Sequence, residues 1–310
     1  MEFFRKPTSF PFMATRKVWY SLSVVLMLGS FISFAALGLN YAIDFTGGVS
    51  VEASFPTTAD VDRTRVALER AGFHEPQVQN VGSSRDIAIR LEPTGETADV
   101  IRPKIDAVLK SLDPAAEIQA LDVVGPQVGD ELRASAIWAL TFTLLLIFIY
   151  IAFRFHTWRL SLGAIFAVMH DPILVLGIFS ITQTAFDLPV VAAVLAVIGY
   201  SLNDTVVVFD RIRERFEVSR RLAPAVVLDQ AINQTLSRTI MTKVVTSIVV
   251  LALLFLGGPV LRGFSEALLI GILAGTYSSI YISSAVALDC GLKAEHVFPT
   301  IKKTAVDDMP

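Results

Sequence analysis

Asp204 stands inside an apolar run, Leu188 to Phe209, that is long enough to cross a bilayer. Asn203 is beside it, and Arg238 stands where the next apolar run begins. A carboxylate in a membrane segment costs roughly 2.5–3.5 kcal/mol at the bilayer centre on insertion scales, so its presence argues for function. At a rise of 1.5 Å per residue, Asp204 lies about 8 Å inside Phe209, below the cytoplasmic shoulder of the membrane rather than at its centre. A carboxylate and a guanidinium on consecutive spans make a buried pair that protonation can switch. That chemistry is energy coupling. The competing reading is a fixed salt bridge that holds two helices together, and Arg238 taken alone is an ordinary interfacial arginine.

Other polar residues sit in apolar surroundings. His170-Asp171-Pro172 lies near the middle of a third apolar run. Proline kinks a helix and frees backbone groups that polar neighbours satisfy. Two readings stay open there, a structural kink with a neutral Asp171 and a protonatable site. Thr239, Thr242, Thr246 and Ser247 give the fifth run a polar stripe at spacings of three and four, fit for helix packing or a water path. Lys243, one turn further in than Arg238, is expected to snorkel outward. Gly271, Gly275, Ser278 and Ser279 form a small-residue face on the sixth run, expected to pack closely. Asp44-Phe45-Thr46-Gly47-Gly48 follows the first run; its paired glycines predict a turn with positive φ or a close approach of backbones. An intramembrane hydrolase is disfavoured. No serine–histidine or metal-ligand set sits at matching depth, and His170 and His156 lack a second-ligand spacing.

The elements that position these residues follow from composition. Hydrophobic residues make up 53% of the 310, and charged residues only 18%, below the about 25% of an average soluble chain. Mean hydropathy is +0.60. The net charge of −3 gives no case for nucleic acid. The single cysteine, Cys290, cannot form an internal disulfide and is expected to be a buried, inert thiol. Six apolar segments are read at Val18–Leu39, Ser135–Phe153, Leu160–Ile181, Leu188–Phe209, Thr239–Leu256 and Gly263–Leu288. The first exceeds the ~7–15 residues of a signal h-region, which favours an uncleaved anchor over a signal peptide. Basic residues gather in the N-terminal tail (Arg5, Lys6, Arg16, Lys17), after the second run (Arg154, Arg159), after the fourth (Arg211 to Arg221) and in the C-terminal tail (Lys293, Lys302, Lys303). Both termini are therefore expected on the cytoplasmic side of the membrane.

Residues 40–131 are too polar to span. A strand is read at Val49–Phe55, a helix at Ala59–Ala71, short strands at Gln77–Val81 and Asp86–Leu91 around Gly82-Ser83-Ser84, a helix from Ala98 or only from Pro103 to Leu112, and a strand at Glu117–Val124. The order is βαββαβ, the ferredoxin-like α+β pattern, and it supports a small extracytoplasmic binding or docking module. His74, its one histidine, is expected to have a solvated or capping role. The expected division is a tail and first span over 1–39, the external domain over 40–131, five spans over 132–289 with a cytoplasmic loop at 210–238, and a cytoplasmic tail over 290–310.

These motifs in this order resemble the SecF family of the bacterial Sec protein-export machinery, within the SecD/SecF family and the RND superfamily. The resemblance rests on Asp44–Gly48, on Val124-Gly-Pro-Gln-Val-Gly129 before the second span, on His170-Asp171, on Asn203-Asp204 within Gly199–Glu214, and on Arg238-Thr239. It implies a six-helix half of an RND-like bundle that pairs obligately with SecD to make twelve helices. It implies association with the SecYEG channel, with YajC and YidC as further candidate partners, and contact with unfolded preproteins and lipid. It implies use of the proton-motive force, with protons as coupling ion and no cofactor, to draw preproteins out after the SecA ATPase has driven them in. It assigns proton conduction to Asp204 and Arg238, with Asn203 beside them, and leaves His170 and Asp171 as either relay or kink residues. The alternatives are half of a proton-driven small-molecule or lipid exporter, and a purely structural assembly subunit. A single modest external domain and six spans favour the export subunit.

Overall fold

The computed structural model describes residues 8–155 and 157–297, so His156 and the basic residues Arg5, Lys6, Lys302 and Lys303 lie outside the described residues. Helix α1 (Arg16–Ala36) leads through a one-turn helix α2 (Ile43–Thr46) into β1 (Gly48–Ser54), α3 (Val61–Arg70), β2 (Gln77–Asn80), β3 (Asp86–Leu91), α4 (Ala98–Leu112) and β4 (Glu117–Val124). The chain then runs through α5 (Pro126–Arg154), α6 (Trp158–Thr182), α7 (Leu188–Val218), α8 (Pro224–Leu256) and α9 (Gly258–Tyr277). A π turn, Ser278–Ile282, joins α9 to α10 (Ser283–Asp289), and the one-turn helix α11 (Ala294–Val297) follows. Among the described residues, six helical segments are long and apolar enough to cross a bilayer; the sixth, Val260–Asp289, runs through the π turn.

The segment between α1 and α5 forms one antiparallel sheet in the order β2-β3-β1-β4. Alternation with period two turns Val49, Val51 and Ala53 of β1 and Ile87, Ile89 and Leu91 of β3 to one face. Leu68 of α3 and Ile101, Ile105 and Leu109 of α4 close over that face. The last three recur every fourth residue, the spacing of one helix face. Pro103 is exposed and the helix begins at Ala98, so the later start is not needed. Helix α3 begins at Val61 rather than Ala59 because the Asp60 carboxylate accepts a hydrogen bond from the Arg63 N–H and caps it. His74 is exposed, as expected of a solvated histidine, and Cys290 is half-buried rather than buried.

In the helical part, α6, α7 and the sixth span are packed inside, whereas α1, α5 and α8 carry long exposed apolar rows. The buried face of α1 is made of serines: Ser23, Ser30 and Ser33. Ser33 and Ser180 share a 2.6 Å hydrogen bond across α1 and α6, and a Cβ on Gly177 would fall 2.0 Å from Ser30 Oγ. Small residues thus let the two backbones approach.

The expected loop at 210–238 is instead mostly helix. Helix α7 continues to Val218 and α8 starts at Pro224. The reason is amphipathicity that charge hid: Phe209, Ile212 and Phe216 are buried on one side of α7, and Val227, Leu228, Ala231 and Ile232 on one side of α8. Arg211 and Arg213 are half-buried beside this stripe, and Arg215 reaches across to the Gln230 side chain of α8.

Candidate functional site

Helix α7 carries Asp204 and α8 carries Lys243, and the two side chains meet as an ion pair at 2.5 Å. Both are enclosed, at 7% and 6% side-chain exposure. No hydrogen bond of good geometry reaches Asp204 Oδ2 or Lys243 Nζ, so each depends on the charge of the other. Lys243 Nζ also lies 4.2 Å from the centre of the Tyr200 ring, a cation–π contact. The Tyr200 hydroxyl is held by Thr246 Oγ1 at 2.6 Å and donates to the Thr242 carbonyl at 3.1 Å, so part of the threonine stripe positions this ring.

The partner of Asp204 therefore differs from the sequence expectation in two ways. Lys243 does not snorkel outward, and Arg238 is exposed and makes no ion pair among the described residues. Five residues along a helix is a rotation of about 140° at 3.6 residues per turn, so only Lys243 is aimed at Asp204, and Arg238 acts on it through space alone. Helical Cβ bonds tilt toward the N-terminus, which lets the lysine, rooted deeper, reach back toward Asp204. Asn203, one residue from Asp204, is exposed for the same rotational reason.

Helix α6 brings His170 and Asp171 into the interior, at 2% and 0% exposure, next to the pair. Asp171 Oδ2 accepts from Ser201 Oγ of α7 at 2.5 Å and from Ser278 Oγ of the π turn at 2.8 Å. Asp171 Oδ1 lies 2.9 Å from His170 Nδ1, and His170 Nε2 lies 3.2 Å from Ser23 Oγ of α1. Where Asp171 is a carboxylate it can only accept, so Nδ1 then carries the hydrogen and Nε2 of the neutral ring accepts from Ser23. Three helical segments, α6, α7 and the π turn, thus meet at one carboxylate, and α1 is tied to it through His170. Pro172 is accommodated inside a continuous α6. Among the described residues, no group of three His, Cys, Asp or Glu side chains is placed to hold a metal ion.

The Asp44–Gly48 motif sits apart from this cluster and forms the joint between the two parts. Gly47 has φ +69° and Gly48 φ +125°, as the paired glycines predict. A Cβ on Gly48 would lie 2.5 Å from the Leu91 carbonyl, and a Cβ on Gly129 would lie 2.9 Å from the Gly47 nitrogen. The two glycine motifs are therefore packed against each other at the mouth of α5. Asp44 Oδ2 accepts from the Leu188 N–H at 2.9 Å, at the start of α7.

Sequence reasoning missed Lys243, Tyr200, Ser201, Ser278 and Ser23 as members of the cluster. Lys243 carried the same signal as Asp204, an ionisable group in an apolar helix. The serines carried none that distinguishes a ligand from a packing residue.

Residues 104–293 match the model of the family described as protein export membrane protein SecD/SecF, C-terminal, and residues 32–58 match the SecD/SecF GG motif. The chain is 44% identical to the protein translocase subunit SecF of Haemophilus influenzae, over 96% of this chain and 91% of the relative. It is 43% identical to that of Vibrio alginolyticus, over 96% of each. Among solved structures it is similar to SecDF, a translocon-associated membrane protein from Thermus thermophilus, with a TM-score of 0.83 and 39% identity over 91% of this chain. The chain spans 39% of the length of that SecDF chain.

Proposed function

The chain belongs to the SecD/SecF protein-export membrane family, and on that premise we propose that it couples proton flow to the late stage of preprotein export. In this reading it pairs with SecD in the cytoplasmic membrane, with both termini in the cytoplasm, and works beside the SecYEG channel and its SecA motor, with YajC and YidC as further contacts. The similarity to a SecDF chain supports the SecD pairing. The exposed apolar rows of α5 and α8 are suited to such a partner or to lipid. The external domain is read as ferredoxin-like, supported by its βαββαβ order and its β2-β3-β1-β4 sheet.

The observation that carries the reading is the Asp204–Lys243 pair. Two enclosed charges that lack other hydrogen-bond partners are costly to keep unless each neutralises the other. Protonation of Asp204 removes one charge and leaves Lys243 uncompensated, which biases the bundle toward a second arrangement. One proton crossing releases ~2.3 kcal/mol per 100 mV, enough for a population shift of tens of fold between states a few kcal/mol apart. Movement of α7 reaches the external domain through Asp44, which joins the α7 N-terminus to the turn before β1.

The test is proton-gradient-dependent preprotein release from membrane vesicles that lack the native subunit. The protein and its Asp204→Asn variant are each supplied with a matching SecD and compared at equal assembly. Loss of release in the variant is expected. Equal release from both overturns the coupling role of Asp204.

A further inference from the structure

The Asp171 carboxylate and the Lys243 ammonium, itself paired with Asp204, meet beside a single glycine. A Cβ built on Gly275 of α9 would lie 3.2 Å from Asp171 Oδ2 and 3.6 Å from Lys243 Nζ, with Ser201 Cβ at 3.5 Å. Lys243 and Asp171 therefore flank one methyl-sized space that no side chain fills. At rest the ammonium lies against Asp204, while Asp171 is held by Ser201, Ser278 and His170. The π turn is what delivers Ser278 to this point, and such turns within helices gather at functional sites.

We propose that Lys243 is a mobile cation that passes between Asp204 and Asp171 through the space beside Gly275. This rests on the reading that Asp204 is protonated during coupling. An O–H bond forms on Asp204 with a proton taken from water on the high-proton side. Lys243 loses its counter-charge and moves to the Asp171 carboxylate, which stays a carboxylate. When Asp204 gives its proton to water on the other side, Lys243 returns. The other titratable or charged groups facing this path are His170 on α6, Tyr200 on α7, Tyr277 on α9 and, acting on Asp204 through space, Arg238 on α8. The serine and histidine ligands of Asp171 form a second seat for the ammonium, and His170 ties that seat to Ser23 on α1. Mobility of a lysine suits this role, since its compact charge rides on a flexible four-carbon stem.

The experiment uses the assembled complex in vesicles and compares Gly275→Ala, Asp171→Asn and Asp204→Asn at matched amounts. The alanine methyl fits the resting structure with shifts of a few tenths of an ångström and keeps every charge, but it fills the path. Gradient-dependent release is expected to fall on the order of 10²-fold in Gly275→Ala, as for other displaced reacting groups. ATP-driven insertion of the same preprotein should be unchanged, whereas general damage lowers both. Full gradient-dependent release from Gly275→Ala beside its loss in Asp204→Asn overturns the mobile cation and leaves the coupling role of Asp204 standing. Full release from both overturns the coupling role and the inference with it. If Gly275→Ala fails to assemble, Asp171→Asn decides: it is nearly isosteric, so loss of release supports the second seat and full release overturns it.

Discussion

The Asp44 carboxylate accepts a hydrogen bond from the backbone N–H of Leu188, the first residue of the helix that carries Asp204. The side chain that caps α7 belongs to the turn that hands the chain to the external sheet. Asp187 caps the same helix one residue earlier, accepting from Val190. Arg90 of β3 hydrogen-bonds Asn40 at 2.7 Å and lies in the field of Asp187 and Asp44. The external domain and α7 are thus fastened by charge and by a helix terminus, whose N–H groups would otherwise be unsatisfied.

Replacement of this cap has a defined cost. Asp44→Ala removes an acceptor and a favourable charge and should destabilise the joint by about 1 kcal/mol, whereas Asp44→Asn, which still caps, should lose only part of that. Hydrogen exchange of the first turn of α7 in the detergent-solubilised protein reads the difference. Equal exchange in the two variants would contradict the capping role.

Packing between α7 and α9 makes a second prediction. A Cβ on Gly271 would lie 2.1 Å from Val197 Cγ2. Valine is stiff at χ1 and cannot turn aside cheaply. Gly271→Ala should therefore cost about 1–3 kcal/mol through overpacking. Val197→Ala in the same chain should restore most of it, a positive coupling in a double-mutant cycle read by thermal unfolding. Additive losses would place the strain elsewhere.

The external sheet should respond to pH through two carboxylates of opposite sign. Hydrogen bonds from Ser54 and Ser83 hold the Asp86 carboxyl below its ordinary range. Its contribution is therefore full above about pH 3.9 and is lost as pH falls through the lower folded value. Burial, with Asp122 and Asp86 adding like charge, pushes Glu52 up. The folded domain binds that proton more tightly than the unfolded chain does. Its contribution is present below about pH 4.3 and is lost as pH rises through the folded value. Glu52→Gln should then make β1 more protected from hydrogen exchange than the parent at neutral pH, with the gap closing near pH 4. Asp86→Asn should remove the acid limb. A pH-independent gap in both variants would contradict these assignments.

The strands of the external domain were legible because period-two alternation and Gly or Pro turns carry their own signal; β3 and β4 run over the expected residues. The spans were legible from apolar length. Three features were not. The extensions of α7 and α8 were hidden because a helix that leaves the membrane replaces a continuous apolar run with a single buried stripe, such as Phe209, Ile212 and Phe216. The π turn at Ser278–Ile282 has no periodic signature. The partner of Asp204 depended on which side of α8 faces α7, and rotation about a helix axis is set by packing along its whole length. The choice of Arg238 followed its place at the head of the next apolar run, and the pairing with Lys243 follows that rotation.

The most direct measurement concerns the difference between a switch and a bridge. Asp204→Asn, Lys243→Met and the double variant are compared for assembly and for proton-gradient-dependent preprotein release. Each single change leaves one buried charge unpaired and should lower stability by roughly 3–5 kcal/mol, while the double change removes both charges and should recover most of that loss. If Asp204 and Lys243 form a proton switch, the double variant assembles normally and still fails in gradient-dependent release. Recovery of release along with assembly would contradict the switch and make the pair a bridge that only holds α7 to α8.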